Sequence, residues 1–335
     1  PEMSGMETLH RLRREHPEVG VIMISGEFAS DADVVIQALE QGALDFLSKA
    51  PMNSEGNSVL ALRKHLVTLF HQFQGRKNLN LAKRISSWRA FRPRRPEGFQ
   101  AAAASPAHGE ERTGATPRSA GSKPASRRVE PGRIDVVIIG TSTGGPNALS
   151  EVIPRLPGDL DVPVLVVQHM PSFLTFSLAQ SLNTKSALRV REAMEGEPLR
   201  AGTVYVAPGG KHLQVKSRAA DRGMSHERYL RLGDGPPENS VRPSVDVLFR
   251  SVAESFEGHI LAVIMTGMGI DGLKGVQALK PAGCYCITQT AETCVVYGMP
   301  RAVDEAGLSD ESADLDTLAE RIAALVKGSS ARRNS

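Results

Sequence analysis

"VVIIGTSTGGP", residues 136–146, carries an apolar strand straight into a glycine-rich corner with Ser142 at its centre. In an open parallel sheet, sites form where the chain leaves the carboxyl ends of the strands, and this corner is such an exit. Pro146 suits the first turn of a helix. Leu149, Val152 and Ile153 then fall on one face, before Pro154 ends or kinks it. A corner of this kind either cradles a phosphate or presents a nucleophilic serine. A Walker loop needs a lysine after its last glycine, and Pro146 stands there instead. The dinucleotide spacing G-x-G-x-x-G fails as well, because Thr141-Ser142 occupies the place of the second glycine. What fits is G-x-S-x-G, as Gly140-Thr141-Ser142-Thr143-Gly144, which sets a serine on a tight strand-to-helix turn with its hydroxyl clear. The motif is short, and a purely structural glycine turn stays open on it alone.

A nucleophilic serine needs a base at the same sheet edge and a carboxylate to orient that base. Among the histidines, His10, His16, His65 and His71 lie in the first region and His108 in a low-complexity stretch. His226 falls in a polar loop, and His259 precedes its strand, at the opposite edge. His212 follows a Gly-Gly turn and stays open. His169 comes directly after "VLVVQ" (164–168), at the carboxyl end of the next strand, so geometry favours it. The same filter selects the acid. "ILAVIMTGMGIDGLKG" (260–275) repeats the strand-and-glycine-corner form and sets Asp271 at the head of a helix, whose positive end favours an ionised carboxylate. The alternative role there is a helix N-cap. Three strand ends thus offer Ser, His and Asp at one edge. The order Ser…His…Asp differs from the Ser…Asp…His of α/β-hydrolases.

Working outward, apolar strands at 135–139, 164–168, 260–265 and 284–288 alternate with helical patterns, which predicts an α/β fold. Its sheet is doubly wound and mostly parallel, with helices on both sides. "GTVYVAPGGKHLQV" (202–215) reads as strand, Gly-Gly turn and strand, a β-hairpin inserted into the series. Residues 1–75 have their own α/β texture. "VGVIMIS" (19–25) and "DFLSK" (45–49) are strands, "DADVVIQALEQGA" (31–43) is a helix, and 57–73 is an amphipathic helix. Residues 76–131 lose periodicity to proline, alanine, serine, glycine and arginine, the composition of a disordered linker. A catalytic domain over 132–330 follows.

The 335 residues are long enough for two cored domains. A net charge of +3 is too weak to argue for nucleic acid. No apolar run approaches the roughly 18 residues a membrane span needs, and we expect no signal peptide. Cys284, Cys286 and Cys294 are an odd count without metal-ligand spacing, so we expect reduced thiols in a cytoplasmic protein and no metal. We read Cys284-Tyr285-Cys286 as a strand that turns its two thiols to opposite faces.

The blocks "IGTSTGGP", "VVQHMP", "EGEPLRAGTVYVAPGGKHL", "RPSVDVLF", "MTGMGIDG" and "VVYGMPRA" resemble, in order, the CheB-type chemotaxis protein-glutamate methylesterases. The resemblance covers residues 133 to about 327. It implies a catalytic triad of Ser142, His169 and Asp271, with the backbone N–H groups of Thr143 and Met268 as oxyanion donors and no cofactor. It also implies hydrolysis of glutamyl methyl esters on the cytoplasmic helices of chemoreceptors, releasing methanol; some members also deamidate receptor glutamines. The first region resembles the family's flavodoxin-like receiver domain in partial form. Ser25 matches the switch hydroxyl and Lys49 the phosphate-contacting lysine. The phospho-accepting aspartate would fall just before Pro1 and so is absent from this chain, and Ala50 intervenes before Pro51 where receivers usually carry Lys-Pro. After Gln289, Thr290 and Ala291 stand where the family often has an acidic pair. A histidine kinase is the phosphodonor of the intact family, and we expect a monomer. The rival class is a non-catalytic two-component signalling module that binds a partner protein. A nucleotide-binding regulator is disfavoured by the missing lysine and the failed glycine spacing.

Overall fold

The computed structural model describes residues 3–16, 19–25, 32–48, 67, 134–219, 226–256 and 259–331. The description below belongs to the compact unit made of Pro1–Arg63 and Glu130–Ser335. The predicted linker lies outside the described residues. So do Lys49, the side chain of Ser25 and, apart from Val67, the helix expected at 57–73.

The frame is a parallel sheet of seven strands. In chain order these are β3 (Val136–Thr141), β4 (Val164–Gln168), β5 (Arg189–Glu192), β6 (Thr203–Val206), β9 (Ile260–Ile264), β10 (Tyr285–Gln289) and β11 (Glu311–Ala313). Across the sheet they run β11-β10-β9-β3-β4-β6-β5. β3, β4, β6, β9 and β10 are buried along their whole length, as the continuous apolar runs of a doubly covered parallel sheet require. Period-two alternation splits their side chains between two cores. One core takes Val137, Ile139, Val164, Val166 and Val263, with α3 (Gly145–Val152), α4 (Ser172–Lys185) and α8 (Leu315–Ala331) over it. The other takes Val136, Ile138, Leu165, Val167 and Ala262, with α5 (Val245–Ser255) and α6 (Leu273–Leu279) over it. A further helix, α7 (Met299–Glu305), contributes Met299 and Val303 to that second side.

Two expectations are corrected. The hairpin is β7 (His212–Ala219) against β8 (His226–Gly233), antiparallel and outside the main sheet. The segment expected to be its first arm is β6, which pairs in parallel with β4 and β5. "TVYV" is buried at every position, the mark of a central parallel strand rather than of a hairpin arm. Cys284 and Cys286 share one face, in the core of α5 and α6, while Tyr285 points into the other. Residues two apart on a strand must do so. All three cysteines are buried and none is in a disulfide, and burial pushes the Cys284 thiol up to about 12.

The first region contributes α1 (Gly5–Glu15), β1 (Ile22–Ser25), α2 (Ala32–Glu40) and β2 (Asp45–Ser48), with β1 and β2 parallel. α1 opens on a capping box in which Ser4 and Glu7 exchange side-chain and backbone hydrogen bonds. Leu9, Val35, Ile36 and Leu39 bury their side chains in the same core that lies between the sheet and α3, α4 and α8. No helix among the described residues is long and apolar enough to cross a membrane.

Candidate active site

β3 has β4 on one side and β9 on the other, and chain order departs from it in both directions, which makes its carboxyl end the topological switch point of the sheet. Thr141 is in register with Gln168, so Ser142 and His169 leave the sheet side by side, and the His169 N–H donates to the Thr141 carbonyl at 3.1 Å. The loop after β9 passes against the same corner. Its Thr266 carbonyl accepts the Ser142 N–H at 3.0 Å. A Cβ added at Gly267 would lie 2.8 Å from the Ser142 Cβ, so only glycine allows that approach.

Beyond this loop stands Asp271, 2 % exposed. Its Oδ2 accepts from His169 Nε2 at 2.8 Å and from the Val245 N–H at 2.7 Å. Its Oδ1 accepts from Asn239 Nδ2 at 2.7 Å, Ser244 Oγ at 2.8 Å and the Asp246 N–H at 3.1 Å. The sequence placed Asp271 at the head of its own helix, α6. Its carboxylate instead caps the neighbouring helix α5, whose first N–H groups it takes. The first turn of α6 is held in return by Asp246, whose Oδ1 accepts from Gly272 N–H at 2.9 Å and Gly275 N–H at 2.6 Å. Asn239 Nδ2 bridges the two carboxylates, reaching Asp246 Oδ2 at 2.8 Å. Burial pushes the Asp271 carboxyl up, but the His169 hydrogen bond and charge, with the Val245 N–H and Ser244 hydroxyl, outweigh it and hold the group at about 2. Asp246 moves the other way, raised by burial and by the charge of Asp271.

An ionised carboxylate only accepts, so the proton of a neutral His169 resides on Nε2 and the lone pair on Nδ1. Among the described residues Ser142 Oγ has no hydrogen-bond partner, and neither do the N–H groups of Thr143 and Met268. Both N–H directions are fixed from behind. The Ser142 carbonyl accepts from Gly145 N–H at 2.8 Å and Gln168 Nε2 at 2.9 Å, and the Gly267 carbonyl accepts from Gly298 N–H at 3.1 Å and Met299 N–H at 2.9 Å. In a trans peptide the N–H points opposite to its C=O, so the N–H groups of Thr143 and Met268 face away from those donors. His212, left open by the sequence, is a structural residue. It is buried, its Nδ1 accepts the Ser244 N–H at 3.2 Å, and its Nε2 reaches the Pro236 carbonyl at 3.0 Å.

The family profile described as CheB methylesterase matches residues 137–322. The chain belongs to that family. A protein-glutamate methylesterase/protein-glutamine glutaminase of Desulfotalea psychrophila is 40% identical over 327 residues, covering 98% of this chain and 83% of the relative. One from Desulfitobacterium hafniense is 39% identical with the same shares. The crystal structure of the Thermotoga maritima CheB methylesterase catalytic domain, 41% identical, matches with a TM-score of 0.54 over 58% of this chain and 98% of that one. Residues 1–58 match a response regulator receiver domain.

Within this CheB-family chain the receiver region touches the corner itself. Thr143 Oγ1 donates to Asp45 Oδ2 at 3.0 Å, and Asn147 Nδ2 to the Ala43 carbonyl at 3.2 Å. Phe46 meets Phe173 edge to face, with ring centroids 6.4 Å apart. Lys185 pairs with Glu40 at 2.6 Å. Ser25 ends β1 in register with Ser48. Sequence reasoning missed Asn239, Ser244 and Asp246. The signal was present in "PSVD", where a serine and an aspartate follow Pro243 at the start of a helical pattern.

Proposed function

We propose that the chain hydrolyses glutamyl methyl esters on the cytoplasmic helices of chemoreceptors, with Ser142 as nucleophile, His169 as general base and acid, and Asp271 as its orienting carboxylate. The observation that carries this reading is the buried His169–Asp271 pair at the switch point, with Ser142 leaving the adjacent strand end. His169 Nδ1 takes the Ser142 proton as Oγ attacks the ester carbonyl. The oxyanion forms against the N–H groups of Thr143 and Met268, each worth about 3 kcal/mol in comparable sites. Collapse of the tetrahedral adduct expels methoxide, which leaves as methanol with the proton from His169. Water, deprotonated by the same nitrogen, then attacks the acyl-enzyme and frees Ser142 and the glutamate carboxylate. The same steps on a glutamine side chain would expel ammonia. That second reading is favoured by the glutaminase half of the relatives' names.

The receiver region restrains this site in the proposal. Asp45 sets a carboxylate beside Thr143, whose N–H is to receive the oxyanion, and Phe46 on Phe173 fastens it there. A histidine kinase is the phosphodonor to which such a receiver answers, in the cytoplasm. A non-catalytic module would have no use for an imidazole oriented by a buried carboxylate. The decisive test is Ser142→Ala, assayed for methanol release from methylated receptor membranes. Loss of the nucleophile costs on the order of a million-fold in turnover. A folded variant that keeps more than a few per cent of activity sinks the assignment.

A further inference from the structure

We propose that Gln168 is a positioning residue that sets the oxyanion-binding face of the Ser142 corner. This rests on the hydrolase reading above and adds a residue to it. Gln168 is the last residue of β4 and 2 % exposed. Its Nε2 donates to the Ser142 carbonyl at 2.9 Å and to the His169 carbonyl at 3.0 Å, so one amide ties the nucleophile's backbone to the base's. The remaining polar atoms of the corner are held from the opposite side by Thr266. Its carbonyl takes the Ser142 N–H at 3.0 Å, and its hydroxyl donates to the Thr143 carbonyl at 2.9 Å. With the Ser142 carbonyl held by Gln168 and Gly145, the planar peptide aims the Thr143 N–H the other way, and rotation of that peptide would break both bonds.

Gln168 is not there for its own hydrogen bonding. Its buried Oε1 has no partner among the described residues. That oxygen lies so close to Gly145 that a Cβ there would sit 1.9 Å from it. A buried carbonyl without a donor costs stability, which an apolar side chain of similar volume would avoid. What the position gains from an amide is therefore its two N–H groups.

Stability and activity should accordingly part company. In the 335-residue chain, Gln168→Met removes both donors at nearly constant volume and leaves Gly145 alone on the Ser142 carbonyl. Because the oxyanion exists only in the transition state, kcat should fall while KM stays within about twofold. The fall should be about tenfold to a hundredfold, less than deletion of a donor, since the N–H is misaimed rather than lost. Labelling of Ser142 by a fluorophosphonate should slow in parallel, and the melting temperature should change little, since removal of the unpartnered Oε1 offsets loss of the donor to the His169 carbonyl. Gln168→Glu supplies a different readout. Facing two carbonyls in a buried site, its carboxyl regains one O–H donor when protonated, so activity relative to wild type should climb as pH falls. Wild-type kcat in Gln168→Met, or a loss that follows a lowered melting temperature, overturns the proposal, as does a Gln168→Glu ratio flat with pH. A wild-type chain that labels with the fluorophosphonate but releases no methanol defeats the methylesterase reading instead. The labelling rates would then still decide the role of Gln168.

Discussion

Replacing Asp271 by asparagine keeps the shape of the site and changes what one atom can do. Three donors converge on Oδ1, from Asn239, Ser244 and Asp246, so the asparagine oxygen takes that place. The new NH₂ then occupies the Oδ2 position, facing His169 Nε2 and the Val245 N–H. It can satisfy the imidazole only by donating to Nε2, which drives the proton to Nδ1 and turns an N–H rather than a lone pair toward Ser142. A wrong tautomer of this kind lowers turnover about ten-thousand-fold, or about 5.5 kcal/mol of transition-state stabilisation. The Val245 N–H loses its acceptor, at a cost of about 1–3 kcal/mol of stability. Charge adds a pH signature. A carboxyl held at about 2, against an ordinary value of 3.8, favours the folded state by about 2 kcal/mol. That contribution is complete above pH ~4 and disappears as pH falls through 2, because a depressed acid must be protonated to lose it. Methanol-release kinetics and thermal melts between pH 2.5 and 7 check both halves. The reasoning fails if the folded variant keeps more than about 1 % of wild-type kcat/KM, or if its stability deficit is as large at pH 2.5 as at pH 7.

Two further expectations concern neighbouring groups. His212→Ala should cost about 1–3 kcal/mol of stability, because the Ser244 N–H and Pro236 carbonyl lose their partner, yet far less activity than His169→Ala; the reverse ranking in methanol release would move the base to His212. Asp45→Ala combined with Phe46→Ala removes a hydrogen bond and an aromatic contact worth together about 2 kcal/mol, roughly thirtyfold in the ratio of uncovered to covered site. Basal methanol release should rise accordingly, and unchanged or lower activity would refute restraint by the receiver region.

Much of the fold was legible because the central strands are unbroken apolar runs, two of them leading into glycine corners. "VVIIGT", "VLVVQ", "ILAVI" and "YCITQ" can be buried on both faces and little else. β5 and β11 were missed because they are the two edge strands, short and polar, "RVRE" and "ESA". β6 was recognised as a strand but given the wrong partner, because pairing depends on the sheet rather than on the segment. The placement of Ser142, His169 and Asp271 at one sheet edge was legible because each sits one step or one loop beyond a strand end. Their support was not. Asn239 meets Asp271 across 32 residues of chain, and Gln168 meets Ser142 across 26, through hydrogen bonds that no local period encodes.

The crossed caps of α5 and α6 bear on how this region opens. Asp271, placed just before α6, closes the end of α5, and Asp246, inside α5, closes the end of α6. Neither helix has a finished first turn until the other has arrived, so the two constitute one cooperative unit. The amide hydrogens of Val245, Asp246, Gly272 and Gly275 should therefore exchange with solvent in a single event. In that event His169 loses its hydrogen bond to Asp271 while Ser142 still stands on an intact strand end. Hydrogen exchange at those four amides would thus report directly how often the molecule is folded with the proposed triad apart.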